Sequence, residues 1–222
     1  MHFLNSFATL QSSDQADKTG ERLAEIIRGI EEDERFGPCN VKVIRVSNMA
    51  RAKETANIIA KHLPDIERSE PDPLLNEGRP CHNIPCGTVR ESTIERIDEN
   101  HPRIEEAFRK YFYRAPMSTR RKDESDHNEE VSSKEAESKD DTRGHTKHEF
   151  EIIVCHANVI RYFFCRALQL HPEAWLRLCT FNCSLTYFTV RPTGTVSCRM
   201  LGDIGHLGYD KSTFSMHHGF NW

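Results

Sequence analysis

The sequence lacks long apolar runs and has no large excess of charge of one sign. No window of its 222 residues approaches the roughly 18 apolar residues of a membrane-spanning helix. The 30 basic and 34 acidic residues give a formal net charge of −4. This balance offers no electrostatic reason to bind nucleic acid or an anionic membrane surface. We therefore expect no membrane bundle and no nucleic-acid partner.

Hydrophobic residues are also scarce, at 37% of the chain, whereas charged residues reach 29%. Much of this skew comes from residues 120–141, of which fourteen of 22 are charged. Such a segment buries too little apolar surface to offset the entropy lost when it orders. The composition therefore predicts a single domain over residues 1–222, with a disordered insert at 118–148.

A secretory signal is missing too, because the opening MHFLNSFATL has no basic start and only a short apolar run. The eight cysteines therefore indicate reduced, intracellular thiols rather than a disulfide framework. Cys81 and Cys86 have no second cysteine pair at zinc-ribbon spacing. For that reason we expect no metal site.

Hydrophobic periodicity predicts alternating strands and helices. Helical patterns cover residues 14–30, 51–63, 101–115 and 158–170, with a short turn at 172–178. Strand patterns cover residues 41–46, 150–155, 182–190 and 195–201, the last two joined as a hairpin across 192–194. Residues 64–99 carry little periodicity and should form a long excursion over one end of the sheet. Strands that lead into helices are typical of parallel βαβ units, so an α/β fold is predicted.

Arg51 follows the first of these strands, at the start of a predicted helix. Its guanidinium and the free N–H groups of the first helical turn can point at one anion. An arginine fork can hold two phosphate oxygens at once. Taken alone, Arg51 is more simply explained as a solvated arginine at a helix start.

A further polar cluster, Cys155-His156-Ala157-Asn158, lies at the end of the strand at 150–155. Taken alone, His156 is more simply a capping histidine. Glu77, in the long excursion, is a carboxyl group that can donate a proton to a leaving alkoxide. Because open α/β sheets place their sites at the strand ends, Arg51, Glu77 and His156 together predict a phosphoryl-transfer pocket.

Seven segments match one family in order: SNMARAKETANIIAKHLP, LLNEG, RIEEAFRKYFYRA, CHANVIRYFFCRALQL, PEAWLRL, RPTGTV and LGDIGHL. The chain resembles the histidine phosphatase superfamily, and within it the member-five branch of the phosphoglycerate mutase family. That branch comprises mitochondrial serine/threonine protein phosphatases. The resemblance runs from about Gln15 onward and implies a three-layer α/β/α sandwich with a mostly parallel central sheet.

The resemblance implies removal of phosphate from phosphoserine or phosphothreonine in proteins, through a phosphohistidine intermediate and with no metal or organic cofactor. Arg51 matches the family's second phosphate-binding arginine, and His156 matches its second pocket histidine, which contacts the phosphoryl oxygens. Glu77 matches the usual proton donor. Asn158 follows the family's turn after that histidine, so a phosphate-binding role is implied for it as well.

The resemblance also implies phosphorylated protein substrates, homo-oligomers and a location at the mitochondrial outer membrane. Members of the branch are held at the membrane by an N-terminal anchor. This sequence shows no such anchor, so a membrane location is expected only through a segment that the sequence does not include.

One motif departs from the family pattern. The family opens on a strand that ends in Arg-His-Gly, whose histidine becomes phosphorylated, and no Arg-His-Gly occurs in this sequence. We therefore expect the first strand and the nucleophilic histidine to be absent, which favours a truncated gene model or isoform over a true pseudoenzyme. Two alternative functions stay open: a catalytically inactive module that binds phosphorylated proteins, and a small-molecule phosphatase or mutase.

Overall fold

A computed structural model of the chain describes residues 2–5, 10–29, 38–83, 90–114 and 149–213, with side chains described from residue 13 onward. The predicted insert at 118–148 lies outside these residues, and so does Cys86. Within the described part of the chain, no helix combines the length and the apolar character needed to cross a membrane.

Within the described ranges, five strands form one sheet in the order β2-β3-β1-β4-β5. The strands are β1 (His2–Asn5), β2 (Asn40–Val46), β3 (Glu149–Cys155), β4 (Leu185–Val190) and β5 (Val196–Asp203). β1, β2 and β3 run parallel, whereas β4 is antiparallel to β1 and forms the predicted hairpin with β5. Three strands therefore end at the same edge of the sheet.

The expectation that the first strand is absent was wrong. β1 lies in the sheet between β3 and β4, with Asn5 paired with Cys155 and Leu4 paired with Leu185. Four residues are too few to show a strand period, and the Arg-His-Gly motif that marks this strand in the family does not occur in the sequence. The sheet therefore contains its first strand even though the Arg-His-Gly motif does not occur in the sequence.

Four α-helices surround the sheet: α1 (Leu10–Arg28), α2 (Ala50–Ala60), α3 (Glu91–Tyr111) and α4 (Ala157–Ala167). α3 begins at Glu91 rather than at residue 101, so Pro102 lies in its interior and not in its first turn. Proline cannot donate the backbone hydrogen bond of that position. Buried Ile97 and Ile104 on either side of Pro102 pack into the core, which offsets this loss.

Helices cover both faces of the sheet. α1 and α2 pack against one face, where Leu23 and Ile59 meet Ile152 and Val154. α3 and α4 pack against the other face, which Ile153 and Cys155 share with Ile104, Phe163 and Phe188. Because neighbouring side chains of a strand point to opposite faces, β3 contributes to both cores. The architecture is the expected three-layer α/β/α sandwich.

Candidate active site

The carboxyl ends of β1, β2 and β3 meet at one edge of the sheet, where open α/β folds place their sites. The backbone N–H of Ser47 donates to the carbonyl of Val154 at 3.0 Å, which holds the end of β2 beside the end of β3. His156 directly follows β3, and Arg51 lies in the first turn of α2. Two residues 105 positions apart in the chain are therefore brought together.

His156 is 1% exposed and takes part in a chain of hydrogen bonds. Arg51 Nε donates to His156 Nδ1 at 3.2 Å. Because Nδ1 accepts, the ring proton lies on Nε2, which donates to Ser47 Oγ at 2.9 Å. Ser47 Oγ in turn donates to Asn76 Oδ1 at 2.9 Å. These contacts select one neutral tautomer of the imidazole and fix its orientation.

The charge state of His156 follows from its surroundings. Burial, together with the positive charges of Arg51 and Arg103, lowers its pKa to about 3. The imidazole is therefore neutral near pH 7, with its Nε2–H available as a hydrogen-bond donor. The neutral imidazole can donate a hydrogen bond to a phosphoryl oxygen, while the neighbouring guanidinium supplies the positive charge.

Glu77 follows a 3-10 turn at Pro73–Leu75 and brings a carboxyl group to the same edge. Burial raises its pKa to about 7, whereas hydrogen bonds from the backbone N–H groups of Gly78 and Asn158 and the charge of Arg51 oppose this rise. The bond from Gly78 measures 3.0 Å. A carboxyl group that is half protonated near neutral pH has the acidity that a general acid needs.

Local sequence explains why the Glu77 loop takes this course. Asp72 caps the 3-10 turn by accepting from the N–H of Leu74 at 2.8 Å, and Pro73 occupies the first position of the turn. At Gly78 the loop comes close to α3, because a Cβ atom there would force the side chains of Asn100 and Arg103 to shift. The loop therefore lies directly against α3.

Asn158 also lies at this edge, in the first turn of α4. Its backbone N–H donates to the Glu77 carboxyl, and its side-chain Oδ1 accepts from Arg161 Nη1 at 3.2 Å. The Asn158 carbonyl group is thus occupied by a neighbour, and its implied contact with phosphate stays a prediction. The residues that precede α2 and α4, Met49 and His156, make no capping hydrogen bond with their side chains. The first turn of α2 brings backbone N–H groups to this edge, whereas in α4 the N–H of Asn158 already donates to the Glu77 carboxyl.

The four residues singled out from the sequence, Arg51, Glu77, His156 and Asn158, come together in one cluster. Three further side chains at this site were missed: Ser47, Arg103 and Arg161. Arg161 did leave a signal, since it is a charged residue within the apolar helical run VIRYFF and is only 8% exposed in the fold. Ser47 and Arg103 each begin a segment that matches the family, but no role was inferred for them because their partners are distant in sequence.

Comparison with known proteins agrees with this geometry. The sequence model of the histidine phosphatase superfamily, branch 1, matches residues 12–202. The chain belongs to the histidine phosphatase superfamily. The match begins within α1 and ends within β5, and the positions of the cluster around His156 lie inside it.

Among curated histidine phosphatases, the chain is similar to mitochondrial serine/threonine-protein phosphatases. It is 44% identical to Pgam5 of Caenorhabditis elegans over 170 residues, which are 77% of this chain and 51% of the worm protein. It is 38% identical to PGAM5 of Homo sapiens over 202 residues, which are 91% of this chain and 57% of the human protein. The chain spans about half the length of the curated relatives it matches.

Solved histidine phosphatase structures show the same architecture. A phosphoglycerate mutase from Plasmodium falciparum superposes with a TM-score of 0.56 at 32% identity, covering 96% of this chain and 98% of that one. YhfR from Bacillus stearothermophilus superposes with a TM-score of 0.53 at 14% identity, covering 92% of this chain and 97% of that one. The second likeness concerns the fold alone.

Proposed function

We propose that this histidine phosphatase domain serves the hydrolysis of phosphoserine and phosphothreonine esters in proteins. The observation that carries the proposal is a neutral His156, held by Arg51, beside a Glu77 carboxyl whose pKa is about 7. Cationic and neutral donors beside one protonated acid suit a phosphate monoester, whose leaving alkoxide requires a proton.

Each residue then has a role at a stated atom. The Arg51 guanidinium and the first-turn N–H groups of α2 bind the phosphoryl oxygens. His156 turns its Nε2–H from Ser47 Oγ to a phosphoryl oxygen. Glu77 gives its proton to the leaving serine or threonine oxygen and becomes a carboxylate. These steps account for phosphate binding and for the proton that the departing alcohol takes up; the nucleophile that receives the phosphoryl group as the P–O bond breaks is not among these residues.

The covalent step of the family mechanism has no counterpart among these residues. That step forms a phosphohistidine on the Arg-His-Gly histidine, and the motif does not occur in the sequence. His156 is poorly placed to replace it, because its Nδ1 lone pair accepts from Arg51 Nε–H and its Nε2 carries the ring proton. What the domain itself supplies is therefore phosphate recognition and acid catalysis.

The relatives' names suggest the biological setting. Those relatives are called mitochondrial serine/threonine-protein phosphatases, so we propose phosphorylated proteins as the substrates and mitochondria as the location. Attachment at the outer mitochondrial membrane and assembly into homo-oligomers belong to the same proposal. Both rest on the resemblance to this branch of the family.

Two specific observations favour other functions. The missing Arg-His-Gly motif favours a binding module that recognises phosphorylated proteins without turnover. The similarity to a phosphoglycerate mutase, at 32% identity over nearly the whole of both chains, favours a small phosphorylated metabolite instead. Both alternatives use the same cluster of residues and differ in what is bound and whether it reacts.

Parallel binding and turnover assays separate these functions. A phosphoserine peptide, its unphosphorylated twin and 3-phosphoglycerate are each titrated against the chain, and release of phosphate is followed in the same samples. Binding of the phosphopeptide with turnover supports the phosphatase, and binding without turnover supports the binding module. Preference for 3-phosphoglycerate supports the small-molecule reaction. Equal binding of the phosphorylated and unphosphorylated peptides would refute the proposed phosphate site.

A further inference from the structure

Arg103, on the side of α3 that faces the Glu77 loop, makes an unusual set of contacts. Its guanidinium donates almost entirely to backbone carbonyl groups of that loop. The acceptors are the carbonyl oxygens of Pro73 (3.3 Å), Leu74 (2.9 Å), Asn76 (2.7 Å) and Glu77 (3.2 Å), together with Asn100 Oδ1 (2.7 Å). A single side chain thus binds the loop backbone at four carbonyl groups between Pro73 and Glu77.

The Pro73 carbonyl also accepts from the backbone N–H of Asn76 at 3.0 Å, so Arg103 matters most to the carbonyls of Leu74, Asn76 and Glu77. The 3-10 turn at Pro73–Leu75 is one turn long, and the backbone that follows it forms no strand ladder in the described part of the loop. Carbonyl groups that are shielded from water need a donor, because leaving them unpaired is costly. A planar guanidinium presents five N–H groups in a fixed fork, whereas an ammonium is a compact point donor that cannot span several carbonyls.

The position of Arg103 also separates it from the groups that would bind phosphate. Arg51 and His156 contact each other beyond the ends of β2 and β3, whereas Arg103 contacts the Glu77 loop from α3. Its charge still reaches the site, since it lowers the pKa of His156 and is itself attracted by Glu77. Two roles are therefore conceivable, one mechanical and one electrostatic.

We propose that Arg103 is a positioning residue that fixes the Glu77 carboxyl group at the site by binding the backbone of its loop. The inference rests on the proposed function, in which Glu77 is the proton donor. Without the guanidinium the carbonyls of Leu74, Asn76 and Glu77 lose this donor, the loop moves away from α3, and the Glu77 carboxyl becomes hydrated. Hydration favours the ionised carboxylate, so the mechanical role predicts that the proton is held less strongly.

The environment of Glu77 makes this readout specific. The charged or titratable groups near Glu77 are Arg51 on α2, Arg161 on α4, Arg103 on α3, and Cys155 and His156 at the end of β3, while Asn158 donates its backbone N–H. Of the titratable members, His156 has a pKa of about 3, and burial raises that of Cys155 far above neutral. Titration near pH 7 at this site therefore reports Glu77.

The test is an NMR titration of the whole chain labelled with ¹³C at glutamate Cδ, in which Glu77→Gln assigns the resonance. The wild-type carboxyl should titrate near pH 7. Arg103→Lys keeps the charge but loses the fork, and Arg103→Gln loses both; the mechanical role predicts that each lowers the Glu77 pKa by one unit or more (about 1–2). Arg109→Lys, at an exposed site on the same helix, should leave the pKa unchanged.

The electrostatic role predicts the opposite pattern. If only the charge of Arg103 matters, Arg103→Lys leaves the Glu77 pKa at its wild-type value and Arg103→Gln raises it, and either result would overturn the proposal. Should both Arg103 variants fail to fold, Asn100→Ala removes one anchor of the guanidinium. It should lower the pKa of Glu77 by a smaller amount, and an unchanged pKa in a folded Asn100→Ala variant would equally overturn the proposal.

Sulfate binding separates this inference from the proposed function. Sulfate keeps its charge between about pH 5 and pH 9, so a loss of affinity as the pH rises reports ionisation of Glu77 beside the anion. The inflection should move with the NMR pKa in the Arg103 variants. If sulfate does not bind the wild-type chain, the proposed phosphate site is refuted, while the NMR titration still decides the role of Arg103.

Discussion

Arg51 Nε lies 3.2 Å from His156 Nδ1, and this contact decides which nitrogen of the imidazole carries the proton. Since Nδ1 accepts from a guanidinium that keeps its protons, the hydrogen must reside on Nε2, where Ser47 Oγ is 2.9 Å away. A phosphoryl oxygen that enters the site competes with this hydroxyl for one donor. Phosphate binding is therefore coupled to breaking the hydrogen bond between His156 Nε2 and Ser47 Oγ.

Glu77→Gln should change how stability depends on pH. The folded-state pKa of Glu77 is raised from 4.5 to about 7, so the folded state holds a proton there that the unfolded state has lost, and stability falls as the pH rises through this window. The variant lacks this loss. Its free energy of unfolding relative to the wild type should rise by up to about 1.4 kcal/mol per pH unit, measured by urea denaturation. A difference that does not vary with pH would contradict the assignment.

His156→Gln should have the reverse effect. The folded-state pKa of His156 is lowered from 6.5 to about 3, so the unfolded state takes up a proton that the folded state refuses, and the wild type loses stability as the pH falls through this window. The variant escapes this loss by up to about 1.4 kcal/mol per pH unit. Between pH 4.5 and pH 6.5 the effects of Glu77 and His156 on stability cancel in the wild type. The Glu77→Gln, His156→Gln double variant should therefore show the same dependence of stability on pH as the wild type in this range.

Arg51→Gln should abolish stabilisation by oxyanions. A ligand present at about 100 times its Kd stabilises the folded state by about 2.7 kcal/mol through mass action, which raises the Tm of a chain of this size by roughly 5–10 °C. Differential scanning fluorimetry with sulfate measures the rise. Lys61→Gln removes a charge from the exposed end of the same helix, where it should leave the rise intact. An equal rise in the Arg51 variant would place the anion elsewhere.

The 222-residue chain should show little turnover of phosphopeptides even where it binds them. The reason is the missing Arg-His-Gly histidine, since removal of a nucleophile that acts as a unit with its partners has cost about a million-fold in subtilisin, the case from which that figure comes. Phosphate release and acid-labile phosphohistidine, trapped by rapid quench, provide the measurement. Robust turnover that disappears in a folded His156→Ala variant would show that His156 is itself the nucleophile.

The sequence by itself determined most of the architecture. β-branched runs such as residues 41–46 and 150–155 and the helical periods that follow them are local signals, because a strand or a helix is specified by neighbours in the chain. The polar residues after those strands, Arg51 and His156, were placed correctly at one edge, since parallel strands end on the same side. Helix boundaries were less accurate, as α3 shows by holding Pro102 in its interior.

Tertiary structure alone decided the strand order, the burial and the hydrogen-bond partners around His156 and Glu77. The place of β1 between β3 and β4, the burial that raises the pKa of Glu77, and the contacts of Ser47 and Arg103 all join residues far apart in the chain. Burial and hydrogen-bond partners depend on which elements pack together, and no local pattern encodes them. The sequence could therefore single out Glu77 and His156, whereas their protonation states depend on how α2, α3 and α4 pack around the strand ends.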